Sequence, residues 1–206
     1  MICVAGLAAA VPDHVTCLIF DWDGTLANTQ DANYRAMSGT LYGYGLNMPE
    51  DWFSARTGTA SAEMIALFME QQGLTVDKPI DQIVSERDAA FLAQASTIRE
   101  LTPIADIARW FREHRPDGKI AVASGGAKAV IEATLPYTGL APLVDTLIAR
   151  EDVVTAKPAP DLFLLAAQRL GQDPAHCLVF EDSDEGLQAA ERAGMIAIDV
   201  RPFRYR

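Results

Sequence analysis

Five short apolar runs constrain this chain more than anything else in it. They are "TCLIFDWD" (16–23), "KIAVASGG" (119–126), "VDTLIAR" (144–150), "CLVFEDS" (177–183) and "MIAIDV" (195–200). Each is continuous rather than alternating, which fits strands covered on both faces. The segments between them carry helical spacing. "AKAVIEATL" (127–135), "DLFLLAAQRLG" (161–171) and "SDEGLQAAERAG" (183–194) read as helices. Asp161 stands near the start of the second, and Gly171 is its stop. Ser183 or Asp184 caps the third, which stops at Gly194. Strands alternating with helices predict an α/β domain built on a parallel sheet.

The stretch between the first two runs reads differently. Residues from about 30 to 100 are Ala- and Met-rich, helix-patterned and free of strand-like runs. "SAEMIALFMEQQG" (61–73) and "IDQIVSERDAAFLAQA" (80–95) have apolar residues at helical spacing. The reading is a helical insertion, or cap, over residues 30–100, flanked by a core of residues 1–29 and 101–206. Met37, Met64 and Met69 are assigned to the core of that cap.

In an open parallel sheet, ligands bind beyond the carboxyl ends of the strands. The first run ends in Asp21 and Asp23, the second in Ser124, Gly125 and Gly126, the fourth in Glu181, Asp182 and Ser183. Lys157 precedes them in "TAKPAP". Four carboxylates, a hydroxyl, a lysine and a glycine turn are thereby brought to one sheet edge. Clustered carboxylates repel one another and are costly to bury without a cation. Oxygen-only donors favour a hard cation, so Asp21, Asp182 and Glu181 predict a Mg²⁺ site. Ser124 and the amides around Gly125 suit an anion, and Lys157 adds a fixed positive charge. Such a cluster fits a phosphoryl group whose transition state needs charge stabilisation. Asp21, at the strand end, is then the candidate nucleophile of an aspartyl-phosphate. Asp23, one residue removed, is the candidate proton donor and acceptor.

Each fragment also has an ordinary reading. Asp-Gly is a common turn, "ASGG" a tight turn, Lys157 a solvated lysine and "EDSDEG" a charged helix start. What outweighs these readings is the four occurring in order, each at or beside a strand end. A calcium loop starting at Asp21 is excluded, because its bidentate-Glu position falls on Ala32. His14, His114 and His176 have no ligand spacing.

The set resembles the haloacid dehalogenase superfamily of phosphohydrolases over nearly the whole chain. "DWDGTLANT", "VASGG", "KPAPDLF" and "VFEDSDEGLQAA" match its four motifs. The resemblance implies a Rossmann-like sheet of strand order 5-4-1-2-3 with a small inserted helical cap. It also implies Asp21 as nucleophile and Asp23 as acid/base, with the Asp23 backbone carbonyl on Mg²⁺. Ser124, Gly125 and Lys157 would hold the phosphoryl group, and Asp21, Asp182 and Glu181 the metal, directly or through water. The C-terminal third is similar to bacterial fructose-1-phosphate phosphatases, and the position of the insertion to β-phosphoglucomutase-like enzymes.

Departures from the pattern sharpen this. Relatives carry a His where this chain has Asn33. Mutases carry a cap arginine where it has Ser61, which favours plain hydrolysis. Dehalogenases lack the second aspartate, so Asp23 argues against dehalogenation. The expected activity is Mg²⁺-dependent hydrolysis of small phosphorylated metabolites, with sugar phosphates foremost. A phosphosugar mutase and a non-catalytic phosphate-binding protein are the alternatives. Asn28, Asn33, Thr57 and Thr59 are the candidates for choosing the substrate.

A net charge of -11 makes nucleic acid and anionic membrane poor partners. Cys3, Cys17 and Cys177 form no CxxC, and the latter two open apolar runs, as buried thiols in a reducing cytoplasm would. The start "MICVAGLAAAVPDHV" lacks a positive n-region and reads as a short apolar extension rather than a signal. Oligomeric state stays open at this level; a monomer is compatible with it.

Overall fold

The computed structural model describes residues 4–56 and 59–203. Two compact units are present. One comprises Met1–Asn28 and Ile98–Arg206, the other Thr29–Thr97.

The first unit is built on a five-stranded parallel sheet. Its strands are β1 (Cys17–Phe20), β4 (Lys119–Ala123), β5 (Thr146–Ile148), β6 (Cys177–Glu181) and β7 (Ile196–Asp199). They lie in the order β5-β4-β1-β6-β7. Counting only these strands, the order from the β7 edge is 5-4-1-2-3, the expected α/β Rossmann-like arrangement. β1 is central, with Phe20 opposite Val122 on one side and Phe180 on the other. That position explains the continuous apolar runs, because every residue of β1 and β6 is buried. Cys17, Ile19, Ala121, Ala123 and Val179 share one core with Leu162, Phe163, Ala166 and Ala189. Alternation along the strand turns Leu18 and Phe20 the other way, and the Phe20 and Phe180 rings stack there at 4.8 Å.

The connecting helices are α6 (Thr102–His114), α7 (Lys128–Thr134), α8 (Asp161–Leu170) and α9 (Asp184–Arg192). α8 stops at Gly171, whose φ of 65° is open to glycine at little cost. Ser183 is the N-cap of α9, its hydroxyl accepting from the Gly186 amide at 3.1 Å. A two-stranded antiparallel ribbon, β2 (Ala27–Asn28) with β3 (Arg99–Glu100), marks where the chain leaves this unit and returns.

The short apolar extension at the start is tied to the first unit. Val4–Ala9 forms helix α1, which packs on α6, and Leu7, Val11 and Val15 are buried. Arg115 fastens it by donating to the carbonyls of Pro12 (2.9 Å), Val15 (2.5 Å) and Val11 (3.5 Å). Among the described residues, no helix is long and apolar enough to cross a membrane.

The second unit is helical among its described residues: α2 (Gln30–Tyr42), α3 (Glu50–Ser54), α4 (Ser61–Gln72) and α5 (Ile80–Leu92). Met37, Leu41, Phe53, Met64, Ile65, Phe68 and Ile83 form its core, with Met69 packed against them.

Candidate active site

The strands of the sheet run parallel, so their carboxyl ends open on one edge, where the polar run-ends collect. The Asp21 amide donates to the Phe180 carbonyl at 3.0 Å, so β1 stays paired to the residue before its first turn. The chain then folds tightly. The Trp22 carbonyl accepts from the amides of Thr25, Leu26 and Ala27, and Gly24 takes a φ of 76°. This turn separates the two aspartates: Asp21 is buried in the sheet edge, while Asp23 is half-buried beside the next strand's turn.

That turn follows β4. Ser124 is buried, its amide donates to the Ile148 carbonyl, and its hydroxyl accepts from the Gly126 amide at 3.1 Å. A Cβ at Gly126 would lie 3.1 Å from Asp23 Oδ2 and 3.3 Å from Ser124 Oγ, so the three groups are neighbours. Gly125, between them, is exposed.

Lys157 ties the remaining parts together. Its Nζ lies 2.6 Å from Asp21 Oδ1 and 2.7 Å from Glu181 Oε2. Its ammonium also sits 5.0 Å from the centre of the Phe163 ring. Asp182 accepts from the Thr25 hydroxyl at 3.3 Å. One carboxylate oxygen each from Asp21, Glu181 and Asp182 falls within 4.8 Å of the others, a spacing a single cation can bridge.

Charge and burial pull against each other here. Burial pushes the Asp21 carboxyl up to about 7; Lys157 opposes this, while Glu181 and Asp23 add to it. Burial disfavours the Lys157 ammonium too, but Asp21 and Glu181 outweigh it and hold Lys157 above the usual lysine range.

Asp21, Asp23, Ser124, Lys157, Glu181 and Asp182 are thus gathered at one edge of the first unit. Asn28 is exposed on β2 of the same unit. Asn33 and Thr59 belong to the helical unit, where Asn33 Oδ1 accepts from the buried Arg87 and the Thr59 amide donates to the Arg56 carbonyl. Thr57 lies outside the described residues, as does Cys3. Cys17 and Cys177 are free, buried and directly opposite each other on β1 and β6. Sequence reasoning missed three contributors: Thr25, which touches Asp182, and Ser183 and Gly186, which surround Glu181. Thr25 had a signal in "DWDGT". Ser183 was read as a strand-end residue and helix cap, without its hydrogen bond to Glu181.

The family model of haloacid dehalogenase-like hydrolases matches residues 15–194. The chain is 36% identical to the fructose-1-phosphate phosphatase YqaB of Escherichia coli K12, over 89% of this chain and 95% of that protein. It is 32% identical to the protein CbbY of Rhodobacter capsulatus, over 93% and 87%. The crystal structure of CbbY from Rhodobacter sphaeroides in complex with phosphate superposes with a TM-score of 0.80 at 28% identity, covering 93% of this chain and 88% of that one. With a five-stranded parallel sheet at its centre and matches running nearly end to end, the chain belongs to the haloacid dehalogenase-like hydrolases.

Proposed function

We propose that this enzyme is a Mg²⁺-dependent phosphatase of small phosphorylated metabolites, sugar phosphates foremost, acting through an aspartyl-phosphate on Asp21. The observation that carries the reading is the buried Lys157 ammonium, 2.6 Å from one carboxylate oxygen of Asp21 and braced by Glu181. A cation at that distance meets the oxygens of any phosphoryl group transferred to Asp21. The names of its relatives, a fructose-1-phosphate phosphatase and a CbbY in complex with phosphate, support the same substrate class.

The donors fit Mg²⁺. They are oxygen-only, come from Asp21, Glu181 and Asp182, and group within 4.8 Å; the Asp23 backbone carbonyl is a further candidate. When bound, the ion neutralises charge on the phosphoryl oxygens and relieves the carboxylate repulsion. The protein's own groups do the rest. The Asp21 carboxylate attacks phosphorus and displaces the substrate alcohol. Asp23 gives its proton to that departing oxygen, then takes one from the water that attacks the acyl phosphate. The Ser124 hydroxyl and the amides of its turn donate to phosphoryl oxygens, and Lys157 holds one of them. The helical unit acts as the cap, and Asn28, Asn33, Thr57 and Thr59 choose the substrate. Free buried thiols suit work in the cytoplasm.

A phosphosugar mutase is disfavoured by one specific observation. The cap position expected to grip a distal phosphate is Ser61. The nearby Arg56 is committed to Trp52, over whose ring it lies at 3.8 Å and to whose carbonyl it donates. A purely phosphate-binding protein would not need Asp21 and Asp23 both in place. The test is phosphate release across hexose, pentose and nucleoside phosphates with Mg²⁺. Wild type releases free phosphate from sugar phosphates and Asp21→Asn loses turnover by orders of magnitude. Isomerised sugar as the main product would establish a mutase, and equal turnover by both proteins would end the mechanism.

A further inference from the structure

Glu181 sits in a cradle made by the start of α9. Its Oε1 accepts from the amides of Asp182 and Ser183, both at 3.0 Å, and from the Ser183 hydroxyl at 2.8 Å. Its Oε2 accepts from Lys157. The Ser183 hydroxyl in turn accepts from the Gly186 amide. One hydroxyl therefore caps the helix and clamps the carboxylate together.

Gly186 completes the cradle by having no side chain. A Cβ at this position would lie 2.5 Å from Glu181 Cγ and would overlap the carboxyl group itself. Gly186 is a buried residue of α9 and is not among the positive-φ glycines. Its requirement is for space, not for backbone freedom. In a common helix-start pattern, a glutamate at this third position reaches back to the cap. Here Glu181, two residues before the cap, fills that space from the other direction.

We propose that Gly186 and Ser183 are positioning residues of the active site. They lock Glu181 beneath the first turn of α9, and through Glu181 they aim the Lys157 ammonium at Asp21. This rests on the reading of Lys157 as the holder of the phosphoryl group. A merely structural Gly186 makes the opposite forecast, because alanine is the better helix former and would favour α9.

The test is a cycle in the full-length protein. Gly186→Ala is made in the wild type and in Glu181→Ala, whose side chain ends at Cβ and lacks all three atoms that the added methyl would meet. Three quantities are read: kcat and KM on the best sugar phosphate, inhibition by inorganic phosphate, and melting temperature. In the wild type, Gly186→Ala lowers kcat/KM and weakens phosphate inhibition roughly 10- to 100-fold, as displacement of a charge-bearing group by about 1 Å does. In Glu181→Ala the same change moves both by less than about threefold, since its steric cause is gone. Ser183→Ala shifts both in the same direction, and Ser183→Thr, which keeps the hydroxyl, restores them.

Equal losses in the two backgrounds would overturn the proposal. So would a Gly186→Ala enzyme that melts higher with phosphate inhibition unchanged. If Gly186→Ala does not fold, Ser183→Ala decides: unchanged kcat/KM and phosphate inhibition overturn the positioning role. Asp21→Asn separates the two levels. If it retains turnover, the catalytic reading fails; if it is inactive while both backgrounds respond alike, only the positioning role fails.

Discussion

Replacing Lys157 with methionine removes the one charge that Asp21 and Glu181 share. The three side chains are 11%, 8% and 1% exposed, and the lysine lies 2.6 and 2.7 Å from its two partners. Deleting one member of a buried ion pair costs about 3–5 kcal/mol, because the remaining charge is stranded. Two carboxylates are stranded here. The three donors on Glu181 Oε1 soften the loss, which places the expected cost near the top of that range rather than above it. For a chain of this length each kcal/mol lowers the melting temperature by about 2–4 °C, so the drop is roughly 8–20 °C in chelator. The deficit is also pH-dependent. Lys157 is what holds the Asp21 carboxyl down against burial, so in Lys157→Met that group titrates still higher than about 7. An acid raised in the folded state costs stability above its unfolded pKa, about 4, and costs nothing below it. Wild type and variant carry the same slope between about pH 4 and 7, so the gap between them is level there and widens above about pH 7, where the wild type levels off and the variant does not. Urea unfolding followed by tryptophan fluorescence at several pH values measures it. A deficit under about 1 kcal/mol, or one that does not widen between pH 6 and 8.5, would refute the reasoning.

The wild-type protein in chelator carries a milder form of the same dependence. With Asp21 pushed up to about 7, the folded state holds a proton that the unfolded chain has released. The Asp21 contribution to stability thus declines as pH rises from about 4 to 7 and levels off above. Asp21→Asn removes that component of the urea-midpoint profile; an unaltered profile would assign the slope elsewhere. At the far end of the sheet, Arg115→Ala frees the carbonyls of Val11, Pro12 and Val15 and loosens α1 from α6. A loss of about 2 kcal/mol is expected, with kcat unchanged; a change in kcat would mean that α1 is coupled to the active site.

What could be read from the sequence was what periodicity and punctuation encode. Burial on both faces makes β1 and β6 continuous in apolar residues, so the strands were legible as apolar runs, whereas their order was implied only by the family resemblance of the motifs at their ends. Gly171 and Gly73 ended α8 and α4 because a left-handed residue is needed there. Ser183 was legible as a cap for the same local reason. The helix within the apolar start was not legible because α1 spans only Val4–Ala9, too short to show a helical period, and its order comes from α6 and Arg115. The ribbon β2–β3 escaped notice because two-residue strands leave no pattern. At the candidate site, residue types at strand ends were visible, but their pairings were not. That Lys157 bridges Asp21 and Glu181 joins positions 136 and 24 residues apart in sequence. Gly186 was invisible for another reason: a glycine in a charged helix start signals nothing until Glu181 is seen occupying its space.

The central claim is that Asp21 itself receives the phosphoryl group. Enzyme mixed with Mg²⁺ and a sugar phosphate it hydrolyses, quenched in acid within the first turnover and digested, tests it by mass spectrometry. The account predicts a phosphorylated peptide containing Asp21, formed at least as fast as phosphate is released, and none in Asp21→Asn. Phosphate release with no modified peptide at any quench time, or modification of another residue, would contradict it.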